Sequence, residues 1–480
     1  MPSLGHLRAD SAVTDAARPA VIRGRLIGQP RLQRDLLLQF ALCALPLPPA
    51  FFLGQFALGG MAFISGLVVF STYHILRRRP LHFLCLLASS VPLLVFIRGI
   101  FIFFNSVVVL LGCGLACALL VQNGFVVFWK RKALLVTVGG SVVFWWVSYL
   151  LTGVYESNLR ALEWSFCAAV VFMLSEHRSY LYTALLGWGI SAATAGIMLL
   201  PYGDRLGFAT IGGVSFGNPI LLGLPAAFIL LLSIAERGRW LGLETHPFWR
   251  LTASTACGIL LVFSTSRGSW IVAIAGLGLL LVFDSHARGP MLVSALALVL
   301  AAAALAGSSH LESANHYLLK AISPETSMHS KTDGRIEQWQ TFPTVFLDSP
   351  IWGFGPGSGR AVAYRYSGAN LQWHSLYLLV GAEMGILGLS LLAILLSLLI
   401  RDGLRHFRIS HEIVPLLGTI SFMLYGLSVS GFDSLGGMLL GLGFIGGNRA
   451  NLWTVRKQVH RVDPRMPVQS EIAWQMPAES

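Results

Sequence analysis

The sequence predicts an all-α polytopic membrane protein, with about 12–14 transmembrane helices and one large periplasmic loop carrying short interfacial helices. Three observations lead there. Of the 480 residues, 55% are hydrophobic and only 12% are charged, with a mean hydropathy of +0.69. Soluble chains carry roughly 25% charged residues, so lipid solvates most of this one. Apolar runs of about 18 residues or more recur along the chain, without the alternation of a transmembrane barrel. One long polar interval, 308–373, interrupts them.

Residues 1–34 are polar and arginine-rich and read as a basic cytoplasmic tail. They lack the short apolar core and small-residue cleavage site of a signal peptide, so the first span is expected to serve as an uncleaved anchor. A transmembrane bundle follows over 35–307, with spans near 36–54, 56–76, 81–97, 104–128, 133–152, 159–175, 180–200, 217–235, 250–265, 268–284 and 290–307. Beyond the 308–373 loop, a second bundle over 374–450 holds spans near 374–400, 412–430 and 433–448. Residues 451–480 form a second cytoplasmic tail.

Net charge is +12. On a soluble protein that excess would suggest nucleic acid. Here Arg77-Arg78-Arg79, Lys130-Arg131-Lys132, Arg237 with Arg239, Arg401 with Arg405 and Arg408, and Arg456-Lys457 fall on one side if the spans alternate. The charge therefore sets orientation, and no nucleic-acid partner is implied. The positive-inside rule makes that side cytoplasmic and puts both termini there. The 308–373 loop and the turns near 153–158, 201–216 and 264–268 are then outside. All six cysteines (Cys43, Cys85, Cys113, Cys117, Cys167 and Cys257) lie in apolar runs and read as small core residues. His310, His316 and His329, with Glu312, match no metal-ligand spacing, so no metal is expected.

The outer loop has a pattern of its own. After Asp333, a candidate helix cap, Ile336, Trp339, Phe342 and Phe346 recur at helical spacing. Such an amphipathic helix is expected to lie in the membrane interface, with its Trp at headgroup level. Pro343 should kink or split it. Gly353–Gly359 reads as a flexible turn or a nest of backbone amides.

Several residues carry chemistry that suits a membrane surface. Arg267 stands in Ser264-Thr265-Ser266-Arg267-Gly268, a tight outside turn. A guanidinium there fits phosphate oxygens, and hydroxyls such as Ser266 add donors; a snorkelling anchor is the alternative. Arg335 and Arg205 are further outside arginines, of the kind the positive-inside rule disfavours. Arg205 has Asp204 beside it, and Arg335 has the alternative of a solvated charge. His374 opens the span 374–400, where a neutral imidazole can take a proton from a hydroxyl. Glu383, nine residues on, faces the other side of that helix and is an ionisable group within a span. Asn218-Pro219 is a sound helix start in its own right.

In order, Ser-Phe-Gly-Asn-Pro (215–219), Ser-Thr-Ser-Arg-Gly (264–268), Gly-Arg-x-x-x-Trp (334–339) and Gly-x-Gly-Pro-Gly with His-Ser-Leu-Tyr and Glu-Met-Gly-Ile-Leu-Gly (353–388) resemble the O-antigen ligase and Wzy polymerase superfamily. The resemblance covers about 200–390. It implies a bacterial inner-membrane glycosyltransferase with its active site on the periplasmic face. The donor is then a glycan on undecaprenyl pyrophosphate, and the acceptor a sugar hydroxyl of lipid A–core or of a growing polysaccharide. It further implies that no metal or other cofactor takes part. His374 matches the family's proposed general base, and Arg267 and Arg335 match the arginines that hold pyrophosphate. Many members carry an arginine about seven residues before Asn-Pro, where this chain has Ile211; Arg205 stands in from further back. Glu383, Ser266 and Asn218 are supporting candidates. A polymerase of the same superfamily is the near alternative, and a lipid-linked oligosaccharide flippase without chemistry the distant one.

Overall fold

The computed structural model describes residues 29–77, 79–97, 178–199, 209–211, 214–216, 219–235, 247–283, 287–304, 335–368, 373–410, 413–429 and 434–447, with single positions between 167 and 174 and between 312 and 323. The spans expected at 104–128 and 133–152, both tails except residues 29–34, and Arg205 and Asn218 lie outside the described residues.

The chain is an all-α polytopic membrane protein. Its described helices run in order α1 (Gln29–Ala44), α2 (Leu47–Phe52), α3 (Phe56–Leu76), α4 (Pro80–Phe96), α5 (Arg178–Leu199), α6 (Pro219–Ile234), α7 (Pro247–Phe263), α8 (Arg267–Phe283) and α9 (Arg288–Ala304). They continue with α10 (Arg335–Asp348), α11 (Gly359–Ser367), α12 (Leu376–Ser410), α13 (Val414–Ser428) and α14 (Ser434–Phe444). Among the described residues, four segments are long and apolar enough to cross a membrane: Arg34–Phe52, Phe56–Leu76, Tyr180–Leu199 and Leu376–Arg408. Seven shorter apolar helices accompany them. Each overlaps a hydropathy span, because uninterrupted apolar runs leave little choice of place; Leu376–Arg408 runs on past 400.

Large apolar side chains on α3, α8 and α12 stay exposed, as helices facing lipid require; Val69 is 64% exposed, Ile274 70% and Leu391 64%. Packing between helices relies instead on small residues. A Cβ at Gly187 of α5 would lie 2.3 Å from Cβ of Ser89 on α4, so those helices meet at backbone distance. Ser191 Oγ donates to Ser89 O at 2.9 Å and Trp188 Nε1 to Ala88 O at 3.1 Å, which turns the close approach into directed bonds.

Two ends of the bundle are distinguishable. At one, Phe283 closing α8 packs on Phe407 of α12, with ring centroids 5.6 Å apart. After α14, Gly446 lies against Gly403 and Gly447 against Asp402 there too. This end carries Arg401, Arg405 and Arg408. The other end holds the turn between α7 and α8, the starts of α6 and α12 and the close of α13. A second, smaller core sits on this end: Val345, Val362, Ala363, Trp373, Leu378, Leu379 and Ala382, with Phe342, Phe354 and Tyr366 against them.

The all-α class holds with one short addition, a two-stranded antiparallel hairpin of β1 (Ala209–Ile211) and β2 (Val214–Phe216) inside the turn 201–216. Two expectations are corrected. Helix α10 is not split at Pro343, which sits on its exposed side, away from the packed face. Its inward face is Gln338, Phe342 and Val345, and Trp339 is left 47% exposed. Finally, no single helix runs through 374–400: α12 is broken at Gly385, which has φ 60° and ψ −153°.

Candidate functional site

The break in α12 is held open by the glycine-rich segment. Phe354 N–H donates to Ala382 O at 2.9 Å, Gly355 N–H to Glu383 O at 3.0 Å, and Ile386 N–H to Pro350 O at 2.8 Å. Backbone groups that a continuous helix would satisfy internally are thus satisfied by the loop. The approach needs glycine on both sides. A Cβ at Gly353 (φ +67°) would fall 2.3 Å from the carbonyl carbon of Glu383, and one at Gly385 would fall 2.5 Å from Ile351 O. The segment read as a flexible turn is therefore a fitted brace.

Glu383 locks the same brace. It is 4% exposed, and its Oε1 accepts the Gly359 N–H at 2.9 Å, with a second backbone bond from Gly357. Its carboxylate is thereby bonded to the start of α11.

Before the break, residues 376–384 form a short helix between two layers. Leu376 and Val380 belong to the main core, and Leu378, Leu379 and Ala382 to the outer one. His374 precedes this helix, exposed between Trp373 and Ser375, which are 1% and 0% exposed. Trp373 packs edge-on against Phe342, with centroids 6.1 Å apart at 84°. The His374 N–H donates to Oε1 of Gln338 at 2.9 Å. Gln338 is one helical turn after Arg335, so the histidine's backbone is tied to the face of α10 that bears that arginine. Trp373 Nε1 and Ser375 Oγ are buried without a hydrogen-bond partner among the described residues. Unspent buried donors on both sides of an exposed imidazole are costly to keep, and functional sites are where they persist.

Arg267 approaches from below. Ser264, Thr265 and Ser266 before it are 0%, 3% and 6% exposed. Thr265 has a positive φ of 51°, a conformation costing of order 1–3 kcal/mol for a β-branched residue. Ser266 caps α8: its Oγ accepts from Ser269 Oγ at 2.9 Å and from Ser269 N–H at 3.4 Å. Trp270 Nε1 fastens the helix to Leu261 O at 2.8 Å. Arg267 is the first residue of α8, and Arg335 the first of α10. Both half-buried residues thus open a helix, whose N-terminal dipole favours an anion over a second cation.

The close of α13 links the two halves. A Cβ at Gly268 would lie 2.4 Å from Ser428 Oγ and 3.1 Å from Cδ1 of Ile220, the second residue of α6. Two residues before Ser428, a Cβ at Gly426 would lie 3.1 Å from Cβ of Leu376. Tyr377 Oη donates to Met423 O at 2.9 Å. A continuous run of contacts therefore leads from Arg267 through the end of α13 to the start of α12, His374, Gln338 and Arg335. Residues 252–393 match the family described as O-Antigen ligase. Over that stretch the chain is similar to the O-antigen ligase family.

The matched stretch begins within α7 and ends within α12, so it includes Arg267, Arg335, His374 and Glu383. No curated protein matches the chain. Sequence reasoning missed Gln338 and Tyr377 within that stretch. The signal for Gln338 was present: it shares the 338, 342, 345 spacing of the face of α10 that packs inward, where a polar side chain requires a partner.

Proposed function

We propose that this protein is a bacterial inner-membrane glycosyltransferase of the O-antigen ligase type. It moves a glycan from undecaprenyl pyrophosphate to a sugar hydroxyl of lipid A–core at the periplasmic face. The observation that carries the reading is the run of contacts bringing Arg267, Arg335 and His374 to one end of the bundle, opposite the end bearing Arg401, Arg405 and Arg408. Under the positive-inside rule the site end is the outer one.

The chemistry needs two things. The leaving diphosphate must have its charge stabilised, and Arg267 and Arg335, each at a helix N-terminus, supply that without a metal. Arg205 is assigned to the same anion. The incoming hydroxyl must lose its proton, and His374, exposed and with its backbone N–H bonded to Gln338, accepts it. As the acceptor oxygen bonds to the anomeric carbon, the bond from that carbon to the phosphate oxygen breaks. The electron pair leaves with undecaprenyl pyrophosphate, and attack from the opposite side inverts the centre. Glu383 takes no part in this transfer and holds the outer helices on the bundle.

The test is transfer by the purified chain in liposomes with a lipid-linked donor and lipid A–core. Product on the core supports the ligase. Product formed only on a second lipid-linked repeat assigns the same machinery to a polymerase. Movement of donor across the bilayer with no product on either acceptor overturns the enzyme reading.

A further inference from the structure

The outer layer ends in an apolar lip. Leu347, Ile351 and Trp352 are 73%, 53% and 75% exposed, within six residues of chain. Large apolar side chains gathered on a surface mark a contact. These three are not on a loose loop. Their turn is bonded into the break of α12 through Pro350 O, Ala382 O and Glu383 O, and closed on itself by Ser349 Oγ to Gly353 O at 2.6 Å and Gly353 N–H to Ser349 O at 3.1 Å. A turn so satisfied internally suits a place where water is scarce.

Its neighbour identifies the partner. From Gly385 the second part of α12 departs with Leu387, Leu391, Ile394 and Leu398 at 42%, 64%, 57% and 39% exposure, one stripe at spacings of four, three and four. In a membrane-spanning helix that stripe faces acyl chains. Ile351 O lies against the Cα of Gly385, where the stripe starts, so the lip prolongs the lipid-facing surface beyond the end of the span. We infer that Leu347, Ile351 and Trp352 insert into the phospholipid bilayer at the headgroup–acyl boundary of the leaflet where α12 begins. Tryptophan at the tip is the residue type that favours this depth. The interfacial role that periodicity assigned to the helix bearing Trp339 thus extends to the turn after α10. Through the brace at Gly385, the lip also sets the height of the His374 segment above the membrane; this consequence alone rests on the function proposed above.

The test places a benzophenone amino acid at position 352, and separately at 347, in the full chain reconstituted in phosphatidylcholine–phosphatidylglycerol liposomes. Position 365, occupied by the exposed Arg365, serves as control. After irradiation, mass spectrometry is expected to find phospholipid adducts at 352 and 347 at least tenfold above those at 365. Adducts joining two copies of the chain at 352 and 347 would replace the bilayer with a self-interface. Lipid adducts no higher than at 365 would overturn the inference, whatever the chain's transfer activity.

Discussion

The backbone N–H of His374 and the side-chain carbonyl of Gln338 meet at 2.9 Å, and this bond joins the two ends of the outer segment. Gln338 is 7% exposed, so water does not readily replace it. Gln338→Leu should leave a peptide N–H unsatisfied at a cost of about 1–3 kcal/mol. The expected result is a fall in kcat of roughly tenfold or more with donor affinity unchanged. Gln338→Glu, which keeps an acceptor oxygen, should recover most of the rate. Equal rates for Leu and wild type would remove Gln338 from any positioning role.

Arg267→Lys and Arg335→Lys test the diphosphate clamp. A lysine keeps the charge and loses the planar fork. Donor affinity, measured on chain in nanodiscs, is expected to fall about tenfold for each, or ~1.4 kcal/mol. Unchanged affinity in either variant would make that arginine an interfacial anchor.

Ser266→Ala separates capping from phosphate contact at the same turn. Loss of the cap on α8 should destabilise the fold by about 0.5–2 kcal/mol, read as a lower Tm. Donor affinity should hardly move, because Ser266 Oγ is engaged by Ser269. A drop in affinity matching Arg267→Lys would show the hydroxyl on the donor instead.

Much of the fold was legible. The spans at 56–76, 180–200 and 268–284 agree closely with the described helices because apolar runs of that length have one physical solution in lipid. Residue type and place single out Arg267, Arg335 and His374, the residues on which the proposed function rests. The break at Gly385 was not, since hydropathy passes straight through a glycine and only the approach of Gly353 forces the chain apart. Nor was the role of Glu383. Its residue type suggested chemistry, and its partners turned out to be the amides of a segment 24 positions away in sequence. Thr265 carried no sign of its positive φ, which is imposed by the packing of α7, α8 and α6 around three buried hydroxyl residues.

The brace itself is testable by addition of one methyl group. Gly353→Ala places a Cβ 2.3 Å from backbone and at φ +67°, with no flexible side chain to move aside. The outer helices should loosen from the bundle, and protease should cut within 349–372 at least tenfold faster than in wild type. Gly368→Ala, also at positive φ (+66°) but with nothing within 4 Å, should leave that rate nearly unchanged. Equal cleavage of both variants would show that the brace does not hold the segment.

The most direct measurement is single-turnover transfer by His374→Ala in liposomes with saturating lipid-linked donor, alongside donor binding. A base on the acceptor hydroxyl contributes about 10²–10⁴-fold. The account predicts donor affinity within about twofold of wild type and transfer lowered at least 100-fold. Transfer at the wild-type rate would contradict it.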